Sequence, residues 1–120
     1  MDQKQKTRLA HAEKLLELAE HSSEIEMRAS LSRIYYAVYH VAIGLVGNKA
    51  HGEMAAALEL REEGLGERYT TLLELRQKAD YDPEFVRRRF DSLDDFRLQF
   101  PELMRSARRL YEDILQLETI

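Results

Sequence analysis

Apolar residues recur along this chain at intervals of three and four, the spacing that gathers side chains on one face of an α-helix. Leu9, Ala12, Leu16 and Ala19 begin the pattern, in a first helix that ends near His21-Ser22-Ser23. Ser23 suits the cap of the next helix, because a hydroxyl there accepts from the unpaired amides of a first turn. That second helix is predicted over about Glu24 to Val46, roughly 35 Å at 1.5 Å per residue, and Gly47-Asn48 is its stop signal. A shorter helix follows from about Gly52 to Glu63 on Met54, Ala57, Leu58 and Leu60, closed by Gly64-Leu65-Gly66. A fourth, from about Glu67 to Ala79, lines up Tyr69, Leu72, Leu73 and Arg76. Asp80-Tyr81-Asp82-Pro83 predicts a turn, since the residue before proline is pushed out of the α region and proline suits a new first turn.

Beyond the turn, Phe85, Phe90, Leu93, Phe96 and Phe100 supply aromatic filling, with Asp91 or Ser92 as a cap. Pro101 is expected to interrupt or kink the helix, because it lacks an amide donor and crowds the carbonyl four residues back. Leu103, Ala107, Leu110, Ile114 and Leu117 then alternate in steps of four and three, the seam of a packed bundle. No segment alternates apolar and polar residues as a strand does, and no internal repeat is present. The pattern predicts an all-α, up-and-down helical bundle of four long helices and one or two short ones.

Composition narrows the class. At 120 residues, with 44% hydrophobic and 33% charged residues, the chain fits one domain that buries a core of its own. Absence of Cys excludes disulfides and thiolate metal sites. The longest apolar run falls well short of the roughly 20 residues of a membrane span, and the charged N-terminus has no signal-peptide core, so no membrane association and a cytoplasmic location are expected. A net charge of −4 provides no global basic field for non-specific nucleic-acid binding, and DNA is not an expected partner. Any RNA contact must be local. Arg87-Arg88-Arg89 and the pair Arg108 and Arg109 are the basic clusters, but Asp91, Asp94, Asp95, Glu112 and Asp113 lie near enough in sequence to make them ion-paired, solvated faces.

The chemistry concentrates in the second helix. Leu31-Ser32-Arg33-Ile34-Tyr35-Tyr36-Ala37-Val38-Tyr39-His40 sets large polar groups in a stretch that otherwise reads as buried helix. Offsets of three, four and seven place Arg33, Tyr36 and His40 on one polar stripe, while Ile34, Val38, Val41 and Leu45 form an apolar stripe toward the core. An imidazole exchanges a proton near neutral pH, and a guanidinium holds a phosphate through two parallel hydrogen bonds. Those groups are the minimum for metal-independent RNA cleavage, although one His supplies only one of the two proton-transfer roles and a dimer would supply both. In the alternative, Tyr35, Tyr36 and Tyr39 pack in the core while Arg33 and His40 satisfy buried carboxylates. The segment Arg76-Gln77-Lys78-Ala79-Asp80-Tyr81-Asp82 is a second cluster, in which a helix end delivers Arg, Asp and Tyr into a turn. No glycine-rich phosphate loop, Gly-x-Ser-x-Gly turn or metal-spaced His pair occurs, and the His residues at 11, 21, 40 and 51 are scattered, so no metal or cofactor is expected.

Taken together, Ser32-Arg33-x-x-Tyr36-Ala37-x-x-His40, then His51 after a glycine-containing break, then Arg76-x-x-Ala79-Asp80-Tyr81 resemble the HEPN superfamily, and most closely its small stand-alone members. The resemblance covers roughly Leu9 to Leu117. It implies a helical bundle, commonly a homodimer, often paired with a minimal nucleotidyltransferase as a two-component, toxin–antitoxin-like system. It further implies binding of nucleotide or RNA near Arg33, Tyr36, His40, His51, Arg76, Asp80 and Tyr81. Many such proteins are ribonucleases with Arg, four to six residues and then His. Here the position after Arg76 and four residues is Tyr81, and a phenol is a poor base at neutral pH; Tyr81 is instead a candidate acceptor hydroxyl for nucleotide transfer by such a partner. The Arg33 and His40 pair has the right spacing but on the earlier helix. Three functions therefore follow: a nucleotide- or RNA-binding component, a ribonuclease toxin using His40 and Arg33, or a purely structural interaction bundle.

Overall fold

A computed structural model describes residues 3–17 and 23–118 of the chain. Among them the apolar stripes fold into six helices and no strand: α1 (Gln3–Glu17), α2 (Glu24–Val46), α3 (His51–Arg61), α4 (Leu65–Tyr81), α5 (Phe85–Arg89) and α6 (Leu93–Glu118). The fold is all-α, with four long helices and two short ones. Ala19, His21 and Ser22 of the first predicted helix lie outside the described residues, as does the side chain of Leu16. No helix among the described residues is long and apolar enough to cross a membrane.

α2 is the axis around which the rest is arranged. The Ser23 hydroxyl accepts from the Glu26 amide at 3.1 Å and caps its start, and Gly47, at φ +91°, ends it in a conformation that glycine adopts without strain. Met27, Leu31, Ile34, Val38 and Val41 are buried along the helix, and Leu45 is half-buried at its end. α1, α4 and α6 all pack on α2, and α3 packs on α4. Burial therefore reaches most of the way round α2, further than a single stripe predicts: Ser30, Tyr35, Ala37 and Ala42 are buried too. At such positions the small side chains of Ala37 and Ala42 let neighbouring helices approach.

Two boundaries differ from the sequence pattern. α6 begins at Leu93, where the Ser92 hydroxyl accepts from the Asp95 amide at 3.0 Å, and runs through Pro101 as one helix to Glu118. Phe96, Phe100, Met104, Ala107, Leu110, Tyr111 and Ile114 are all buried. A continuous buried face on both sides of the proline offsets the single backbone hydrogen bond that it removes. The second difference is at the end of α4, where Asp80 and Tyr81 belong to its last turn and the chain leaves the helix only at Asp82. Arg28 of α2 holds that end: its Nε donates to the Ala79 carbonyl at 2.6 Å and its Nη2 to the Asp82 carbonyl at 2.5 Å. Carbonyls that have no partner inside the helix are thereby satisfied, and the helix is extended past the predicted turn.

α3 and α4 meet without room for a side chain. A Cβ placed on Gly66 would lie 2.5 Å from the Ala55 carbonyl oxygen, while Glu59 reaches across to accept from the Gly64 and Gly66 amides, each at 2.9 Å. The carboxylate thus caps the start of α4 from a neighbouring helix, where the local sequence has no capping side chain. Gly66→Ala is expected to lower stability by about 1–3 kcal/mol, because helix backbones must separate, whereas Gly52→Ala, with nothing within 4 Å of its new methyl, should be neutral or stabilising by up to about 1 kcal/mol. Urea denaturation of the two variants checks the contrast, and equal effects would contradict the close approach.

Candidate functional site

Burial of α2 stops short of the flank that carries Arg33 and His40, and α1 then supplies a wall for it. Leu9 and Ala12 are buried against the core, which fixes the register of α1 and sets Arg8, beside Leu9, over the exposed flank of α2. Arg8, Ser32, Arg33, Tyr36 and His40 line an open cleft of about 460 Å³. Arg33, Tyr36 and His40 thus share one site, as their helical spacing predicts. Arg8 was not legible as a site residue, because nothing local in sequence links residue 8 to residues 33–40.

The charge of this cleft is unmatched. Among the described residues neither Arg8 nor Arg33 has a carboxylate within ion-pairing distance; Arg28, Arg61, Arg89 and Arg109 have none either, but Arg8 and Arg33 are the ones brought together in a single cleft. His40 is exposed and touches the Tyr39 ring edge-on, with centroids 5.7 Å apart. The alternative in which Arg33 and His40 satisfy buried carboxylates is not the arrangement found.

Behind the cleft lies Arg76 of α4, only 8% exposed. Its Nη2 donates to the Tyr36 hydroxyl at 2.7 Å, and its guanidinium stands 4.9 Å from the Tyr36 ring centroid and 5.5 Å from those of Tyr35 and Tyr81. Asp80 Oδ2 is 2.9 Å from Arg76 Nε, yet the buried Nε–H has no hydrogen-bond acceptor. The two facts describe a charge contact whose N–H is badly aligned, and the ion pair is the stronger description because it depends on separation more than on angle. The Ser32 hydroxyl donates to the same Asp80 oxygen at 3.1 Å, so this carboxylate is shared between α2 and α4.

Phenols fill the space toward α3. Tyr35 is wholly buried and hydrogen-bonded to Tyr69 at 2.5 Å and to His51 Nδ1. Tyr39 stacks on the His51 ring, centroids 4.1 Å apart, and its hydroxyl donates to the Lys49 carbonyl at 2.8 Å. A chain in which Tyr69 donates to Tyr35, and Tyr35 to a neutral His51, gives each of these groups a partner. Burial pushes the Tyr35 hydroxyl up to about 12 and raises Tyr69 further. His51 moves the other way, lowered from 6.5 by burial and then by the Arg76 charge. Tyr69 is a further residue whose place in this network the sequence did not announce.

The remaining candidates divide. Arg76 bonds to Tyr36, Asp80 to Ser32 and His51 to Tyr35, and none of the three lines the cleft. Tyr81, 72% exposed, faces a separate open cleft with Gln77, Lys78, Asp82, Pro83 and Arg88. Of the basic run, Arg87 pairs with Glu84 at 3.3 Å and Arg88 with Asp82 at 3.4 Å, acids other than those expected, while Arg89 is in no ion pair among the described residues. Arg108 pairs with Glu112 at 2.8 Å and with Glu13. Among the described residues no three His, Asp or Glu side chains gather around one point where they could hold a metal ion.

Comparison of the chain with family models, curated proteins and solved structures finds no match. The resemblance to the HEPN superfamily therefore rests on the residues quoted for it.

The lowered His51 pKa has a definite sign for stability. Above 6.5 the ring is neutral in both folded and unfolded chains; as pH falls below that value, the unfolded chain takes up the proton first and folding loses stability until the folded ring also protonates. His51→Asn keeps a polar side chain beside Tyr35 but does not titrate. Denaturation at pH 7.5 and pH 5 should show a smaller acid-induced loss in His51→Asn than in the parent, and equal losses would contradict the assignment.

Proposed function

We propose that this protein is a nucleotide- or RNA-binding helical bundle, a HEPN-like component that works with a minimal nucleotidyltransferase. The observation that carries the binding half is the cleft itself: two guanidiniums and an imidazole, on an acidic protein, with no carboxylate among the described residues within ion-pairing distance of them. Concentrated positive charge left open to solvent suits an anionic ligand, because counter-charge then comes from outside the chain. The transferase partner and a homodimeric state are supported by the resemblance in residues 32–40 and 76–81. Calorimetry of the full chain with AMP and with the dinucleotide ApA tests the binding half. A saturable heat with at least one of them, weakened roughly tenfold or more in Arg33→Ala, is the expected result; the absence of any heat overturns it.

A second reading, a ribonuclease, is favoured by one specific observation: Arg33 and His40 line the same cleft. One imidazole gives a proton donor or an acceptor in a single step and not both, so cleavage would need a second copy of the chain to complete the site. Incubation with single-stranded RNA should leave the RNA intact under the binding reading. Fragmentation by the parent and none by His40→Ala would establish cleavage in its place.

A further inference from the structure

We propose that the cleft takes the terminal phosphate of a nucleotide, a phosphomonoester dianion, and that Arg8 is a specificity-determining residue of this site together with Arg33 and His40. The inference rests on the nucleotide-binding reading and goes further by naming the chemical group bound and a residue from another helix.

Hydrogen-bond bookkeeping around the cleft leads to the class of ligand. Arg8 and Arg33 bring guanidinium N–H groups, which donate and never accept. Tyr36 already accepts from Arg76 Nη2 at 2.7 Å, which leaves its own O–H to be given toward the cleft that it lines. Ser32 spends its proton on Asp80, and Asp80 is in turn held by Arg76 at 2.9 Å, so the carboxylate that reaches this wall is engaged. His40 adds one N–H when neutral and two when protonated. The lining is therefore dominated by donors with no acceptor of matching charge, the complement of a group that only accepts. Phosphate oxygens are such acceptors, and planar guanidiniums meet them with paired N–H bonds.

Charge selects the end of a nucleotide over the interior of a chain. Two permanent cations match the two negative charges of a terminal phosphate, while a phosphodiester link carries one. The cleft, at about 460 Å³ and open, is also much larger than a phosphate group and leaves room for the attached sugar. Because Arg8 and Arg33 come from α1 and α2, the anion would bridge two helices that otherwise meet through Leu9 and Ala12. Neither arginine takes part in an ion pair among the described residues, so replacing either is not expected to unfold the bundle.

The test is calorimetry on the full chain, in low-salt buffer free of phosphate, with AMP, adenosine, ApA and inorganic phosphate as titrants. The variants are Arg8→Gln and Arg33→Gln, with Arg105→Gln, whose partner is Glu102, as a surface control, and thermal melts check that each folds. AMP is expected to bind at least roughly tenfold more tightly than adenosine or ApA, and Arg8→Gln and Arg33→Gln should each weaken it roughly tenfold while Arg105→Gln does not. Adenosine or ApA binding as tightly as AMP, or AMP binding indifferent to Arg8→Gln, overturns the phosphate site and leaves the nucleotide reading standing. Inorganic phosphate binding as tightly as AMP, through the same two arginines, retains the anion site and overturns its assignment to a nucleotide. Should a variant fail to fold, competition of inorganic phosphate against AMP on the parent chain decides the point: no competition removes the phosphate site. Silence from AMP and phosphate while ApA still binds overturns the phosphate site alone, and silence from AMP, ApA and phosphate alike overturns both readings.

Discussion

A guanidinium cannot shed its charge inside a protein, so Arg76, buried between α4 and α2, has to be matched where it lies. The match is assembled from several directions. Tyr36 accepts one of its N–H groups, Asp80 supplies the opposite charge, and the faces of the Tyr35, Tyr36 and Tyr81 rings supply the negative side of their π clouds. Each of these partners is held by something else in turn. Arg28 fixes the end of α4 from which Asp80 and Tyr81 project, and Ser32 ties Asp80 to α2. The position of α4 relative to α2, and with it the shape of the polar wall, follows from satisfying one charge.

That arrangement distinguishes the groups that hold the wall from those that line the cleft. Arg76, Asp80 and His51 are tied to partners within the bundle, so they orient Tyr36, Ser32 and Tyr35. Arg33 and His40, one turn to either side of Tyr36, remain toward solvent and are joined there by Arg8. An acidic chain, with net charge −4, carries a local positive cleft because no described carboxylate comes within ion-pairing distance of Arg8 or Arg33. Net charge describes the far field, but a ligand at contact distance meets the local one.

Much of the fold was legible because helices report themselves locally. Ser23 as the cap of α2, Gly47 as its stop, Ile34, Val38 and Val41 as its buried stripe, and the four-and-three seam of α6 all follow from short-range rules. Pro101 and the Asp80–Pro83 segment show where such rules yield. A local breaker is overridden when the helix face on both sides is buried, as with Phe96, Phe100 and Met104, and a predicted turn is absorbed when Arg28, fifty-one residues before Ala79, satisfies the carbonyls that would otherwise end the helix.

Helical periodicity is a property of consecutive residues, so the class of fold, the long central helix, and the gathering of Arg33, Tyr36 and His40 on one flank could be read along the chain. Only tertiary structure decided which of the polar residues stay open. That outcome depends on which side chains arrive from α1, α3 and α4: Arg8 joined the cleft, Arg76 was enclosed, His51 was tied to Tyr35, and Tyr69 completed the phenol chain. The free energy of a charged group depends on every partner around it, and those partners are brought together by packing between helices far apart in the chain.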